Sequence, residues 1–138
     1  MAAPATADYE IVFDGGSLNN PGTGYGSFRL RGPLVGSRIE RREFGPGVTN
    51  NEAEYRALIE ALEALLAAFR AAEADPGRAS LLVLGDSQLV ISQVTGRWKV
   101  RHPNLVPLCR RAADLVRRFG RVELRWHPRA RSVAVLGH

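Results

Sequence analysis

The feature that most constrains this sequence is a short apolar run, Ser-Leu-Leu-Val-Leu at residues 80–84, which ends at Gly85-Asp86. An apolar run of strand length without polar alternation predicts a central strand covered on both faces. A long helix is predicted before it, over residues 49–69, because apolar side chains recur there at helical spacing: Leu58, Leu62, Leu65 and Phe69. The chain is therefore expected to build a sheet that is packed by helices.

The remaining predicted elements complete an α/β pattern. They are a strand at 9–14 that stops at a loop beginning with Gly15-Gly16, hairpin strands at 25–31 and 37–44 that end at 45–47, helices at 87–94 and 103–119, and a last strand at 122–126 followed by a basic tail. This order predicts a five-stranded mixed sheet, three antiparallel strands and then parallel strands, flanked by helices. Residues 1–8 are expected to form a flexible tail, and residues 9–138 a single domain.

Charge is distributed unevenly along the 138 residues. The net charge is −4 over residues 1–90 and +9 over residues 91–138. This asymmetry favours a polyanionic partner such as a nucleic acid, whereas arginines on a solvated helix face are the alternative. The single cysteine, Cys109, excludes an internal disulfide, and neither a secretion signal nor a membrane-spanning run is present. We expect a soluble, cytoplasmic, monomeric protein without a membrane partner.

Three carboxylates occupy positions that folding alone does not require. Asp14 ends the first strand and Asp86 ends the apolar strand, and ligands bind beyond the carboxyl ends of such strands. Glu54 lies one helical turn before Leu58, so its side chain is expected to point toward the sheet. Each residue has an alternative role: Asp14 as a cap of the following turn, Asp86 as the N-cap of the helix at Ser87, and Glu54 as a complement to the helix dipole.

Carboxylates that converge in a cleft repel one another and need a cation to compensate their charge. No histidine or cysteine cluster accompanies them, so their hard oxygen ligands select Mg²⁺ or Mn²⁺. Two such ions activate a water molecule and stabilise the leaving oxygen of a phosphodiester. The sequence therefore predicts a metal site formed by Asp14, Glu54 and Asp86.

Three segments carry a resemblance to type 1 ribonuclease H, in its short form without a basic protrusion. They are FDGGSLNNPG (13–22), TNNEAEYRALIEAL (49–62) and GDSQLVISQVTGRWKVRHPNL (85–105), in the order of the family's elements. The resemblance implies a ribonuclease H-like fold. It also implies hydrolysis of the RNA strand of RNA–DNA hybrids to 5′-phosphate and 3′-hydroxyl products, with two Mg²⁺ or Mn²⁺ ions bound alongside the substrate.

Matched motif by motif, the resemblance makes Asp14, Glu54 and Asp86 the catalytic metal ligands. It implies substrate contacts for a larger set: Gly15, Gly16, Asn20, Thr49, Asn50, Asn51, Ser87 and Gln88. Hydroxyl and amide side chains suit that role because the 2′-hydroxyl of RNA is both a donor and an acceptor. Trp98 and Lys99 lie among further cations, and this pattern predicts a surface that packs on a sugar or base and holds phosphates. A buried structural tryptophan is the alternative.

One feature of the family is missing. The resemblance implies a fourth metal-binding aspartate near Val135 or Leu136, yet no carboxylate follows Glu123. We therefore expect a short or absent C-terminal helix and a cleavage activity that is reduced or favours Mn²⁺. A hybrid-binding module without turnover, and a nuclease of this fold that acts on duplex DNA, are the alternative functions. The loop histidine of the family has no counterpart by motif either, and His127 and His138 are candidates by proximity alone.

Overall fold

The computed structural model describes residues 7–137. The strands are β1 (Tyr9–Leu18), β2 (Gly22–Gly32), β3 (Gly36–Val48), β4 (Ser80–Gly85) and β5 (Arg121–Trp126). The helices are α1 (Asn50–Ala71), α2 (Gln88–Val94), α3 (Val106–Val116) and α4 (Arg129–Leu136), with a single 3-10 turn at Pro76–Arg78. Within residues 7–137, no helix is long and apolar enough to cross a membrane.

The strands form one mixed sheet in the order β3-β2-β1-β4-β5. The pairs β1–β2 and β2–β3 are antiparallel, whereas β4 is parallel to both β1 and β5. The apolar run therefore lies in the interior of the sheet, as the sequence predicted. Only one of its faces is fully covered, because Leu81 and Val83 are buried whereas Leu82 and Leu84 are half-buried. Parallel neighbours need long crossover connections, which the helices between β3 and β5 supply. The predicted fold class is confirmed.

The strand β1 extends beyond its predicted end. Gly15 and Gly16, which the sequence assigned to a loop, pair with Gly26 and Tyr25 of β2, and the strand continues to Leu18. The loop prediction was wrong because pairing with a neighbouring strand outweighs the local tendency of glycine to form turns. For the same reason β3 continues through residues 45–47, where the hairpin was expected to end.

Helix α1 begins where the sequence predicted. Thr49 is its N-cap: the Thr49 hydroxyl accepts a hydrogen bond from the Glu52 backbone N–H (3.1 Å), and the Glu52 carboxylate accepts one from the Thr49 N–H (3.0 Å). This capping box satisfies two N–H groups at the start of the helix. The predicted apolar face is buried against the sheet and α3, and it forms the centre of the core with Leu58, Leu62, Leu65 and Phe69.

The helix predicted at 103–119 is shorter than expected and spans Val106–Val116. The periodicity predicts a buried face made of Leu105, Leu108, Ala112, Leu115 and Phe119, and all of them are buried except Leu108, which is half-buried. Phe119, beyond the end of the helix, packs edge-on against Phe69 of α1, with ring centroids 5.8 Å apart. The prolines at 103 and 107 restrict where the first helical turn can begin. The periodicity therefore identified the buried face correctly and overestimated the length of the helix.

The residues after β5, predicted as a basic tail, form the eight-residue helix α4. Ser132 and Leu136 are fully buried, and the Arg41 guanidinium of β3 donates a hydrogen bond to the Leu136 carbonyl (3.0 Å). At the other end of the chain, Asp8 exchanges two hydrogen bonds with Ser80, at 2.8 and 3.0 Å. Residues 1–6 of the predicted tail lie outside the described residues.

Candidate active site

Three carboxylates meet where the central strands end. Asp14 lies in β1, Asp86 directly follows β4, and Glu54 is in the second turn of α1. One oxygen atom of each carboxylate lies within 4.8 Å of an oxygen of the other two. The parallel register explains this proximity, because Phe13 pairs with Gly85 and the two aspartates each follow by one position. The structure thus brings together the three acids that the sequence singled out.

Glu54 points toward the sheet and is only 7% exposed. Its Oε1 atom accepts a hydrogen bond from the Gly15 backbone N–H (3.0 Å), whereas its buried Oε2 atom has no hydrogen-bond partner among residues 7–137. Burial, followed by the proximity of the Asp14 carboxylate, raises the pKa of Glu54 to about 10. Without a compensating cation, the Glu54 carboxyl is therefore protonated at neutral pH.

Asp86 forms an ion pair that the sequence did not predict. Its Oδ2 atom lies 3.4 Å from Nη1 of Arg129, and the same nitrogen lies 3.7 Å from Oδ1 of Asp14. Burial and the charge of Asp14 raise the pKa of Asp86, and the Arg129 guanidinium lowers it. The alternative role of Asp86 as a helix cap is wrong, because the Ser87 hydroxyl caps α2 by accepting from the Val90 N–H (3.2 Å).

The three carboxylates fit a hard divalent cation. Their donor atoms are all carboxylate oxygens, the ligands that Mg²⁺ and Mn²⁺ prefer, and one of them is the buried Glu54 Oε2 without a hydrogen bond. A fourth carboxylate does not join them within the part of the chain that the structure describes. This site therefore has one negative ligand fewer than the resemblance implies.

Helix α4 occupies the region where the missing aspartate was expected. Leu136 is fully buried and Val135 is half-buried, so α4 contributes packing at both positions. His127 is 8% exposed and its Nε2 atom lies 2.8 Å from the Ser132 hydroxyl, which joins α4 to the end of β5. Burial, followed by the charge of Arg131, lowers the pKa of His127. His138 lies outside the described residues.

Two adjoining clefts lie at the N-terminal end of α1, the helix that carries Glu54. The first encloses about 400 Å³ and includes Asn20, Thr49, Asn50 and Asn51 in its lining. The second encloses about 590 Å³ and includes Asn51, Arg97, Trp98, Lys99 and Arg101. Asn51, His102 and Leu105 line both clefts. The fold thus joins a polar cleft and a basic cleft that come from distant parts of the sequence.

Two of the predicted substrate residues also hold the first cleft in shape. The Asn20 side-chain oxygen accepts a hydrogen bond from the Asn50 N–H (2.9 Å), and the Asn50 side-chain oxygen accepts one from the Ser17 N–H (2.8 Å). These contacts tie the β1–β2 connection to the start of α1. These contacts use only the oxygen atom of each side-chain amide, and each amide also carries two N–H donors.

The other predicted substrate residues lie outside the lining of both clefts. Gln88 is exposed at the start of α2. An added Cβ at Gly15 would lie 2.4 Å from the Ala53 carbonyl oxygen, and one at Gly16 would lie 2.5 Å from the Tyr25 hydroxyl. Both glycines therefore permit close packing inside the protein, against α1 and β2.

The basic cleft is positioned by polar groups of α2. Trp98 is 49% exposed, so the alternative of a buried tryptophan is wrong. Its backbone N–H donates to the Ser92 carbonyl (3.0 Å), and the Gln93 amide donates to the Lys99 carbonyl (3.4 Å). The Gln93 side-chain oxygen in turn accepts a hydrogen bond from the buried Tyr55 hydroxyl (2.6 Å). A buried network of this kind fixes the basic segment relative to the core.

Sequence reasoning missed two residues at the carboxylates. The Trp126 indole N–H donates to the Asp86 carbonyl (3.2 Å), and Arg129 forms the ion pairs described above. The signal that could have identified them is topological: Trp126 ends β5 and Arg129 follows it, and the carboxyl end of β5 lies beside that of β4.

Comparison with known proteins agrees with this geometry. A family model described as reverse transcriptase-like matches residues 34–135, a range that contains Glu54, Asp86 and Arg129. The chain belongs to this ribonuclease H-like family.

Two curated relatives are similar to most of this chain, and one of them is named a ribonuclease HI. Ribonuclease HI of Halobacterium salinarum is 38% identical over 118 residues, which cover 86% of this chain and 55% of the relative. The bifunctional protein Rv2228c of Mycobacterium tuberculosis is 39% identical over 123 residues, which cover 88% of this chain and 32% of the relative. The chain thus spans about a third to about half of the length of these relatives.

Solved structures of ribonuclease H proteins are also similar to this chain. The N-terminal RNase H domain of Rv2228c, solved as a fusion with maltose binding protein, has a TM-score of 0.77 at 34% identity and covers 94% of this chain and 88% of that chain. RNase H1 of Halobacterium salinarum has a TM-score of 0.75 at 34% identity, covering 90% and 88%. LC11-RNase H1 in complex with an RNA/DNA hybrid has a TM-score of 0.78 at 27% identity, covering 92% and 90%.

Proposed function

We propose that this ribonuclease H-like protein is a metal-dependent endonuclease that hydrolyses the RNA strand of RNA–DNA hybrids to 5′-phosphate and 3′-hydroxyl products. The observation that carries the proposal is the convergence of Asp14, Glu54 and Asp86 within 4.8 Å of one another. Relatives named ribonuclease H, and a structural neighbour solved with an RNA/DNA hybrid, support the substrate class. One copy of the chain is the proposed functional unit, because all three acids belong to the same chain.

The carboxylates would hold the metal, and the clefts would hold the hybrid. Asp14, Glu54 and Asp86 would provide oxygen ligands for Mg²⁺ or Mn²⁺, with two ions expected alongside the substrate, and the metal would supply Lewis acidity for hydrolysis of the phosphodiester. The amide donors of Asn20 and Asn50 are suited to 2′-hydroxyl and phosphate oxygens. Trp98 with Lys99 offers an exposed aromatic face and a cation for the backbone of the other strand.

The reduced set of carboxylates leads to a second part of the proposal. A site with three carboxylates carries less negative charge than one with four, so it attracts divalent cations less strongly. Mg²⁺ demands a near-ideal octahedral arrangement of ligands, whereas Mn²⁺ tolerates more variable geometry. We therefore expect slower cleavage with Mg²⁺ than with Mn²⁺.

The test is a gel assay with a hybrid labelled on its RNA strand, run in parallel with Mg²⁺ and with Mn²⁺. Asp14→Asn is expected to abolish the cleavage products while hybrid binding is retained. Asp114→Asn is the matched control, because Asp114 is exposed on α3 and pairs there with Arg117. Turnover by Asp14→Asn at a rate near that of the wild type would contradict the proposed mechanism.

A hybrid-binding module without turnover is the second candidate. The observation in its favour is the apolar pair Val135 and Leu136, which replaces a carboxylate in α4. The same gel distinguishes the two functions, because only the enzyme forms products. Competition by double-stranded RNA and by duplex DNA tests the substrate class, and preferential cleavage of duplex DNA would assign the chain to a different nuclease activity.

A further inference from the structure

Arg129, the first residue of α4, points back into the carboxylate cluster. Its Nη1 atom lies 3.4 Å from Oδ2 of Asp86 and 3.7 Å from Oδ1 of Asp14. The two carboxylate side chains are only 8% and 2% exposed, whereas the arginine side chain is 64% exposed. A cation on a solvent-facing side chain thus contacts two of the three acids that would bind a metal.

This contact places a positive charge beside carboxylates that repel one another. Carboxylates that share a buried site disfavour one another's ionisation, and a neighbouring positive charge offsets that effect. Arg129 supplies such a charge, because its guanidinium forms an ion pair with each of Asp14 and Asp86.

We infer that Arg129 is a built-in counter-ion that competes with divalent cations for Asp14 and Asp86. The guanidinium neutralises part of the cluster in the metal-free protein and withdraws toward solvent when an ion binds. Its side chain is already 64% exposed, so little burial is lost when it swings outward. The inference rests on the proposed metal site and does not require that the bound hybrid is cleaved.

The competition predicts a specific change in metal affinity. In Arg129→Gln the competing charge is removed, so Mn²⁺ is expected to bind roughly three- to tenfold more tightly, a modest range because exposed ion pairs are weak. Arg131→Gln is the matched control: Arg131 lies in the same helix, its loss changes the net charge equally, and it forms no ion pair among the described residues. Mn²⁺ affinity of this control is expected to stay within twofold of the wild type.

The measurement is a titration of each protein with Mn²⁺ in which free Mn²⁺ is counted by electron paramagnetic resonance. A second readout is the Tm of each metal-free protein. Arg129→Gln is expected to melt at a lower temperature than Arg131→Gln without metal, because its carboxylates have lost their counter-ion, and the difference should disappear at saturating Mn²⁺.

The results separate this inference from the proposed function. Tighter Mn²⁺ binding by Arg129→Gln alone supports the inference even if no variant cleaves a hybrid, and in that case only the nuclease proposal fails. Equal tightening in both variants assigns the effect to net charge and overturns the inference. Weaker or absent Mn²⁺ binding by Arg129→Gln also overturns it, because the arginine would then support the site instead of competing for it.

Discussion

Replacing Gly15 by alanine places a methyl group against the backbone of α1. The added Cβ would lie 2.4 Å from the Ala53 carbonyl oxygen and 2.7 Å from the Glu54 nitrogen. Both atoms belong to the helix backbone, which cannot rotate away as a side chain can. Either β1 or α1 must therefore move by about 0.6 Å to restore a separation of 3.0 Å, and by about 1 Å to reach ordinary contact.

This displacement acts directly on the site. Glu54 follows Ala53 in α1, and Asp14 precedes Gly15 in β1, so the movement separates two of the three carboxylates. It also lengthens the hydrogen bond from the Gly15 N–H to Glu54. Functional constellations tolerate about 0.5 Å of error, and a misplacement near 1 Å costs on the order of 100-fold in rate. The overpacking itself is expected to lower the free energy of unfolding by about 1–3 kcal/mol.

The assay compares Gly15→Ala with Gly120→Ala. An added Cβ at Gly120 would lie 2.3 Å from the Gly77 carbonyl oxygen, a similar backbone clash at the opposite end of the sheet. Urea denaturation, Mn²⁺ affinity and hybrid cleavage are measured for both variants. Both are expected to lose stability, and only Gly15→Ala is expected to lose Mn²⁺ affinity and cleavage. Wild-type affinity and cleavage in Gly15→Ala, or an equal loss in Gly120→Ala, would refute this reasoning.

Three further outcomes are expected. Because the pKa of Glu54 is raised to about 10, the folded state holds a proton that the unfolded state releases, so the metal-free protein should lose stability in urea denaturation as pH rises from about 4.5 toward about 10. Because the pKa of His127 is lowered, the unfolded state binds its proton more readily, so stability should also fall as pH drops below about 6.5. Trp98→Ala should weaken hybrid binding, measured by fluorescence anisotropy, by about 1–3 kcal/mol.

Each outcome has a control. Glu54→Gln should flatten the alkaline slope, and His127→Gln should flatten the acidic slope, so an unchanged slope in either variant would assign it to other groups. Ile39→Ala is the control for Trp98, because Ile39 is 46% exposed on β3 and outside both clefts. An equal loss of hybrid affinity in the two variants would contradict a specific role for the tryptophan.

Local sequence was sufficient to predict the elements that carry the site. The apolar run at 80–84 correctly indicated an interior strand, although burial alternates along it and only Leu81 and Val83 of its leucines and valine are fully buried. The helical spacing of apolar residues predicted α1 over residues 49–69, and the capping box that Thr49 forms with Glu52 confirms its start. With those two elements in place, Glu54 and Asp86 were already directed to the same edge of the sheet.

Predictions failed where a partner distant in sequence decides the local structure. Gly15 and Gly16 read as a loop in isolation, and their pairing with β2 makes them part of a strand. Asp86 and Ser87 are both good helix caps by sequence, and the structure selects the serine while the aspartate turns toward Asp14. Packing and pairing energies override such local preferences because each local preference amounts to only about 1 kcal/mol.

The sequence by itself determined which acids are available, which strand is central and which half of the chain is basic. The tertiary structure alone decided that Arg129 returns from α4 to Asp14 and Asp86, and that Asn51 joins a polar cleft to a basic one. Helical and strand periodicity is a short-range property that the order of residues encodes directly. Arg129 and Asp86 are 43 positions apart in the sequence. Their contact forms because the completed sheet places the ends of β4 and β5 side by side.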